Sequence, residues 1–188
     1  MKLPRFRPLT IAVAIGAAVL LAVLYGIYAL SVHAPPASLK PLALSDPPKA
    51  VPGLVFVGAD GKNHTLSEYR GRLVLLNLWA PWCAPCVKEL PALEALQTAL
   101  AGENFEVVAV DVGRDSLGDA GAFLAAHGAR KLAVHVDSDT SVFRAFGAFG
   151  LPASILIDAK GREIGRVLGA ADWSAPGSVR YIRRLAAR

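Results

Sequence analysis

Apolar residues are distributed along this chain in two ways. Leu9 to Leu30 is an unbroken block of 22 residues without a charge, whereas from Leu54 onward apolar residues come in short runs separated by glycines, prolines and charged turns. A block of that length covers a hydrocarbon core, which takes about 20 helical residues. It keeps no polar face of the kind a core helix would turn to water. Lys2, Arg5 and Arg7 precede it, and no charge follows until Lys40. The positive-inside rule then sets residues 1–8 in the cytoplasm and the remainder across the membrane, with Tyr25 and Tyr28 near the far interface. Val32-His33-Ala34 has the small-x-small form of a cleavage site, but Pro35 and Pro36 follow at once. Cleaved leaders also carry shorter apolar cores, of about 7–15 residues. Residues 9–30 therefore read as an uncleaved, single-pass transmembrane signal anchor, with everything after it periplasmic or otherwise extracytoplasmic.

Residues 31–52 contain six prolines and read as an extended, semi-rigid spacer. The folded domain is expected over 53–188. Leu54–Val57 and His64–Leu66, either side of a glycine turn, predict a short β-hairpin, and Ser67–Gly71 one helical turn closed by glycine. The continuous apolar runs 73–79 and 105–112 predict buried parallel strands, with a helix over 83–100 between them. Beyond them the patterning predicts a helix over 116–127, a strand over 131–136, and a helix over 138–146 capped by Asp137 or Ser138. A hairpin over 153–157 and 163–168 and a closing helix over 173–187 complete the chain. The order implies an α/β sandwich, a mixed sheet with helices on both faces.

Composition narrows the functional classes. The net charge is +5, but the three N-terminal cations carry +3 of it, leaving about +2 (5 − 3) for the rest. That is no nucleic-acid footprint. A domain of this size holds itself together without structural disulfides, so the only two cysteines, Cys83 and Cys86, are free for chemistry. They stand C-x-x-C at a strand-to-helix turn, Trp79-Ala80-Pro81-Trp82-Cys83-Ala84-Pro85-Cys86. A helix start stabilises a thiolate, and motifs of this kind bring a thiol pKa from about 8.5 to about 3.5–7.5. Zinc would need about four ligands, and His33, His64, His127 and His135 offer no recognisable spacing with the pair. A non-catalytic copper-binding or scaffold module that uses the two cysteines as ligands stays open as an alternative. No metal and no cofactor is assigned.

The stretch Leu75-Leu76-Asn77-Leu78-Trp79-Ala80-Pro81-Trp82-Cys83-Ala84-Pro85-Cys86-Val87-Lys88-Glu89-Leu90-Pro91 resembles the membrane-anchored TlpA/ResA-type branch of the thioredoxin-like thiol:disulfide oxidoreductases. The resemblance covers about residues 52–186. It implies a thioredoxin fold with an added N-terminal β-hairpin and an inserted strand–helix element at 131–147. It implies a redox disulfide Cys83–Cys86, in which Cys83 attacks and Cys86 resolves. Leu151-Pro152 would be a cis peptide forming a substrate-docking lip, with Trp82 beside Cys83. Ala84, Pro85 and Trp79 would support the site, and Pro91 would kink the helix. Glu89, three residues after Cys86, would tune the thiols and relay protons; an exposed helix glutamate is the alternative. Asn77 stands where many classical thioredoxins have a buried aspartate, which puts the proton-relay assignment on Glu89 or on water. The implied partners are client proteins with disulfides, among them apocytochrome c or a copper chaperone or oxidase subunit, and a membrane thiol electron donor; the chain itself would be a monomer. A dithiol oxidase differs from a reductase only in potential, which sequence does not decide.

Overall fold

The computed structural model describes residues 15–26, 34–39 and 42–188. The chain divides into two units, Met1–Ala34 and Pro35–Arg188. In the first, residues 15–26 are helical, with Ile15, Val19, Leu20, Leu21, Val23 and Leu24 exposed. Among the described residues no helix is long and apolar enough to cross a membrane. The expected span extends beyond them at both ends, since residues 9–14 and 27–30 lie outside the described set, as does the basic stretch 1–8.

The second unit is built on one sheet of eight strands: β1 (Ala43–Ala50), β2 (Val55–Gly58), β3 (Asn63–Thr65), β4 (Leu73–Trp79), β5 (Phe105–Asp111), β6 (His135–Val136), β7 (Ala153–Ile157) and β8 (Arg162–Leu168). Their spatial order is β1-β8-β7-β4-β5-β6-β2-β3. The pairs β4–β5 and β5–β6 are parallel and the others antiparallel. β4 lies between β5 and β7 and is buried on both sides, as its run, apolar but for Asn77, requires. One face carries Leu73, Leu75, Trp79, Phe105, Val107 and Ala109. It packs on α1 (Ala84–Ala99), α2 (Leu117–Ala126) and α4 (Pro176–Ala186) through Leu90, Leu93, Leu124 and Ile182. The other face carries Val74, Leu76, Leu78, Val108 and Val110 and packs on the short α3 (Ser141–Ala145) through Val142. Helices therefore cover both faces, three on one and one on the other.

Three elements differ from the sequence expectation, each for a physical reason. The proline-rich stretch is not all spacer. Leu39 and Leu42 enter the core, and β1 pairs with β8 at the sheet edge. The register shifts between Leu44 and Lys49, around Pro47 and Pro48, so two residues without an N–H sit where the ladder needs none. The domain thus starts well before residue 53.

The strand expected over 131–136 shrinks to His135–Val136, and at its expected start the Lys131 N–H bonds Glu94 Oε2 at 2.8 Å and not a neighbouring strand. It still joins the hairpin to the sheet, pairing with β5 on one side and β2 on the other. The helix expected over 138–146 begins only at Ser141, after Thr140 in a left-handed conformation. Asp137 serves its start at a distance, taking the Ser141 and Val142 N–H groups at 3.1 and 2.8 Å. The closing helix starts at Pro176 rather than Trp173, because Trp173 is drawn into the core ahead of it.

Candidate active site

β4 ends at Trp79, and the chain turns through Ala80, whose carbonyl accepts the Cys83 N–H at 3.0 Å. Cys83 is the N-cap of α1, and its Sγ accepts the Cys86 N–H at 3.3 Å. Cysteine takes the role that serine or aspartate plays at most helix starts: an acceptor over unpaired N–H groups. Pro85 lies in the first turn, where a missing N–H costs nothing. Cys83 and Cys86 form a disulfide with their Cα atoms 5.3 Å apart. Both are buried, while Trp82 beside them stands 71% exposed and Ala84 is exposed. Trp79 is fully buried and stacks on Phe123 at 5.7 Å, so it belongs to the core beneath the turn. α1 runs unbroken through Pro91.

Across the sheet, Leu78 pairs with Ala153, which brings Pro152 to the same end as the disulfide turn. The Leu151–Pro152 peptide is cis. Leu151 packs against the core cluster that includes Cys83 and Cys86, and the Pro152 carbonyl accepts the Gly169 N–H at 2.9 Å.

Glu89 is 3% exposed, not a surface helix residue. Burial pushes its carboxyl above the usual range, and hydrogen bonds from Ala171, Trp173 and Asn77 oppose that shift. The Ala171 N–H and the Trp173 Nε1–H both donate to Oε1, at 2.9 and 2.6 Å. Asn77 Nδ2 donates to Oε2 at 3.3 Å and to Ser154 Oγ at 2.8 Å. One carboxyl is thus held by β4 and the loop after β8, with β7 bracing the Asn77 amide.

This end of the sheet carries a buried cysteine pair at a helix start and, level with it, a cis-proline, and residues 45–180 match the Redoxin family.

The chain belongs to the Redoxin family.

Among relatives of this Redoxin protein, a ResA thiol-disulfide oxidoreductase of Geobacillus thermodenitrificans is 33% identical over 111 residues, 59% of this chain and 63% of that protein. The match therefore spans less than two thirds of that relative's length. A ResA thiol-disulfide oxidoreductase of Bacillus thuringiensis is 31% identical over 121 residues, 64% of this chain and 69% of that protein. Among solved structures, a putative thiol:disulfide interchange protein DsbE from Chlorobium tepidum superposes with a TM-score of 0.66 at 29% identity, over 74% of this chain and 96% of that one. The sheet order and these likenesses place the domain among thioredoxin-like α/β folds.

Sequence reasoning overlooked part of the Redoxin site. Trp173, Ala171 and Ser154 were not singled out, and they supply three of the groups around Glu89 and Asn77. Nothing local marks Trp173, an isolated aromatic ahead of a helix. Asp111 and Asp115 also acquire a relation invisible in sequence. Asp111 faces Trp79 across β4–β5, fully buried, with Oδ1 accepting the Gly113 N–H at 2.6 Å and Oδ2 unpartnered. Burial, with the neighbouring Asp115 carboxyl adding, pushes it up to about 6. Among the described residues no group of three or more His, Cys, Asp or Glu side chains is placed to hold a metal ion.

Proposed function

We propose that this protein is a membrane-tethered thiol-disulfide oxidoreductase that works outside the cytoplasm and reduces cysteine pairs in client proteins. The observation that carries the reading is the Cys83–Cys86 disulfide at the start of α1, level with the cis Leu151–Pro152 peptide. In the reduced form the helix start favours a thiolate at Cys83. That thiolate attacks one sulfur of the client disulfide, forming a mixed disulfide and releasing the other client sulfur, which takes up a proton. Cys86 loses its proton and attacks Cys83 Sγ. The client leaves as a dithiol and the enzyme as a disulfide, two electrons poorer.

Trp82 and the Leu151–Pro152 lip receive the client chain, and Glu89 takes the proton from Cys86. A carboxyl whose pKa is raised by burial suits that work near neutral pH. The oxidised enzyme is reduced again by a membrane thiol donor. Resemblance to the TlpA/ResA branch suggests apocytochrome c or the copper-site cysteines of an oxidase or its chaperone as clients. Tethering through residues 9–30 raises the effective concentration of such neighbours.

The test is exchange by the reduced full-length protein on insulin without added metal. Cys83→Ser should abolish turnover, and Cys86→Ser should accumulate mixed disulfides with the natural client; no trapped species would overturn the assigned roles. A reduction potential near about −120 mV, that of strong oxidants, would make the protein an oxidase instead. Release of the full chain from membranes by alkaline carbonate would overturn the tether.

A further inference from the structure

The two oxygens of Glu89 are treated unequally. Oε1 accepts two short hydrogen bonds, from the Trp173 Nε1–H at 2.6 Å and the Ala171 N–H at 2.9 Å. A carboxylate oxygen has two lone pairs, so Oε1 is filled and has no place for a proton. Oε2 has only the long contact from Asn77 Nδ2, at 3.3 Å. Trp173 is fully buried, which leaves its indole no room to withdraw from Oε1.

The surroundings of Oε2 suit either protonation state. Asn77 is buried, its Nδ2 lies between Glu89 Oε2 and Ser154 Oγ, and its Oδ1 has no partner. Turning the Asn77 amide by a half-rotation exchanges Nδ2 for Oδ1 in the same place. The amide then accepts where it donated: from a protonated Oε2, and from the Ser154 hydroxyl, which can act as donor or acceptor. One Asn77 atom is unpartnered in each arrangement, so neither state carries an extra buried orphan. Two charged groups, Lys88 and Asp172, line with Glu89 a groove of about 340 Å³. On the sheet side Asn77 of β4 donates to the carboxyl, and Ser154 of β7 bonds Asn77 in turn.

We propose that Glu89 carries its exchangeable proton on Oε2, that Trp173 is the positioning residue that confines it there, and that Asn77 and Ser154 reverse the direction of their hydrogen bonds as the proton comes and goes. This rests on the reading of Glu89 as the acid and base of the cysteine pair. The proton that leaves the Cys86 thiol ends on Oε2, and the groove beside Lys88 and Asp172 returns it to water.

The experiment follows the Glu89 carboxyl carbon and the Asn77 side-chain NH₂ signals by NMR against pH, in the full-length protein in detergent, beside the pH profile of Cys83 alkylation. The Asn77 signals should move with the same midpoint as Glu89. Trp173→Phe should raise that midpoint by about one to two pH units, the equivalent of one lost hydrogen bond to a charged group. Because Trp173 is a core residue, the second variant places 3-benzothienylalanine at 173 by nonsense suppression, keeping the ring shape and removing only the N–H. Asn77 signals that stay still through the Glu89 midpoint, or an unmoved midpoint with the sulfur analogue, would overturn the proposal. Glu89→Gln separates it from the reading beneath: an unchanged alkylation profile in that variant ends the acid–base role of Glu89, whatever the NMR titration shows.

Discussion

Glu89 and Asp111 are two buried carboxyls on the same face of one sheet, and the fold treats them differently. By strand alternation Asn77, which holds Glu89, and Asp111 both point to the face that carries Trp79 and the cysteine pair. Glu89 lies on the β7 side and receives three donors. Asp111 lies on the β5 side and receives one donor, with a second acid beside it instead of a cation. Burial raises both, but only Glu89 has hydrogen bonds enough to sustain the ionised form as well as the neutral one. A buried acid that can hold either charge state is suited to moving protons. One that is merely kept neutral is a cost to the fold whenever it ionises.

The comparison breaks most visibly at Glu89. Glu89→Gln should slow exchange by about 10²-fold or more, the low end of general acid–base contributions, and should erase one limb of the pH profile. Stopped-flow exchange from pH 5 to 9 checks this, and a full-rate variant would put Glu89 on a level with Asp111.

Asp111→Asn should act on stability instead. The folded-state pKa is raised from 3.8 to about 6, so the fold binds a proton that the unfolded chain releases. Stability is therefore lost as pH rises from about 4 through about 6, and the loss is complete above that. The amide should recover about 1–3 kcal/mol at pH 7.5 and almost nothing at pH 4, with exchange unaltered. Urea unfolding at the two pH values decides it; equal effects at both would show that ionisation is not the cause.

Ser154→Ala should cost about 1 kcal/mol by leaving buried Asn77 without its closest partner, at 2.8 Å. Its effect on the Glu89 titration should be smaller than that of Trp173→Phe. Asp115→Asn should do least. It removes a neighbouring charge from Asp111, so the pH-dependent loss of stability should move to lower pH by a fraction of a unit, as thermal melts between pH 4 and 7 would show.

Much of this was legible in the linear pattern, and the limits have identifiable causes. β4 and β5 were readable because a strand buried on both faces is apolar at most positions, here all but Asn77 in β4 and Glu106 and Asp111 in β5. α1 was readable because the C-x-x-C turn marks its start and Cys83 caps it. β1 was missed because prolines argue against a strand, and only an edge position with a register shift at Leu44–Lys49 tolerates them. The start of α3 was misplaced because Asp137 caps it from four and five residues away, across a left-handed Thr140. The expectation for Glu89 needed one more quantity, its burial, which belongs to the loop after β8 and not to its own helix.

By itself the sequence determined the dithiol and its place at a helix start, since both depend on neighbours a few residues apart and on the propensities of those residues. It also set the length of the apolar block at residues 9–30. The tertiary structure alone decided which acids share the cysteines' face of the sheet and how each is held. Trp173 is 84 positions from Glu89 and Ser154 is 77 from Asn77. Contacts at that separation arise from strand register and loop packing, which bring together groups that no local pattern relates.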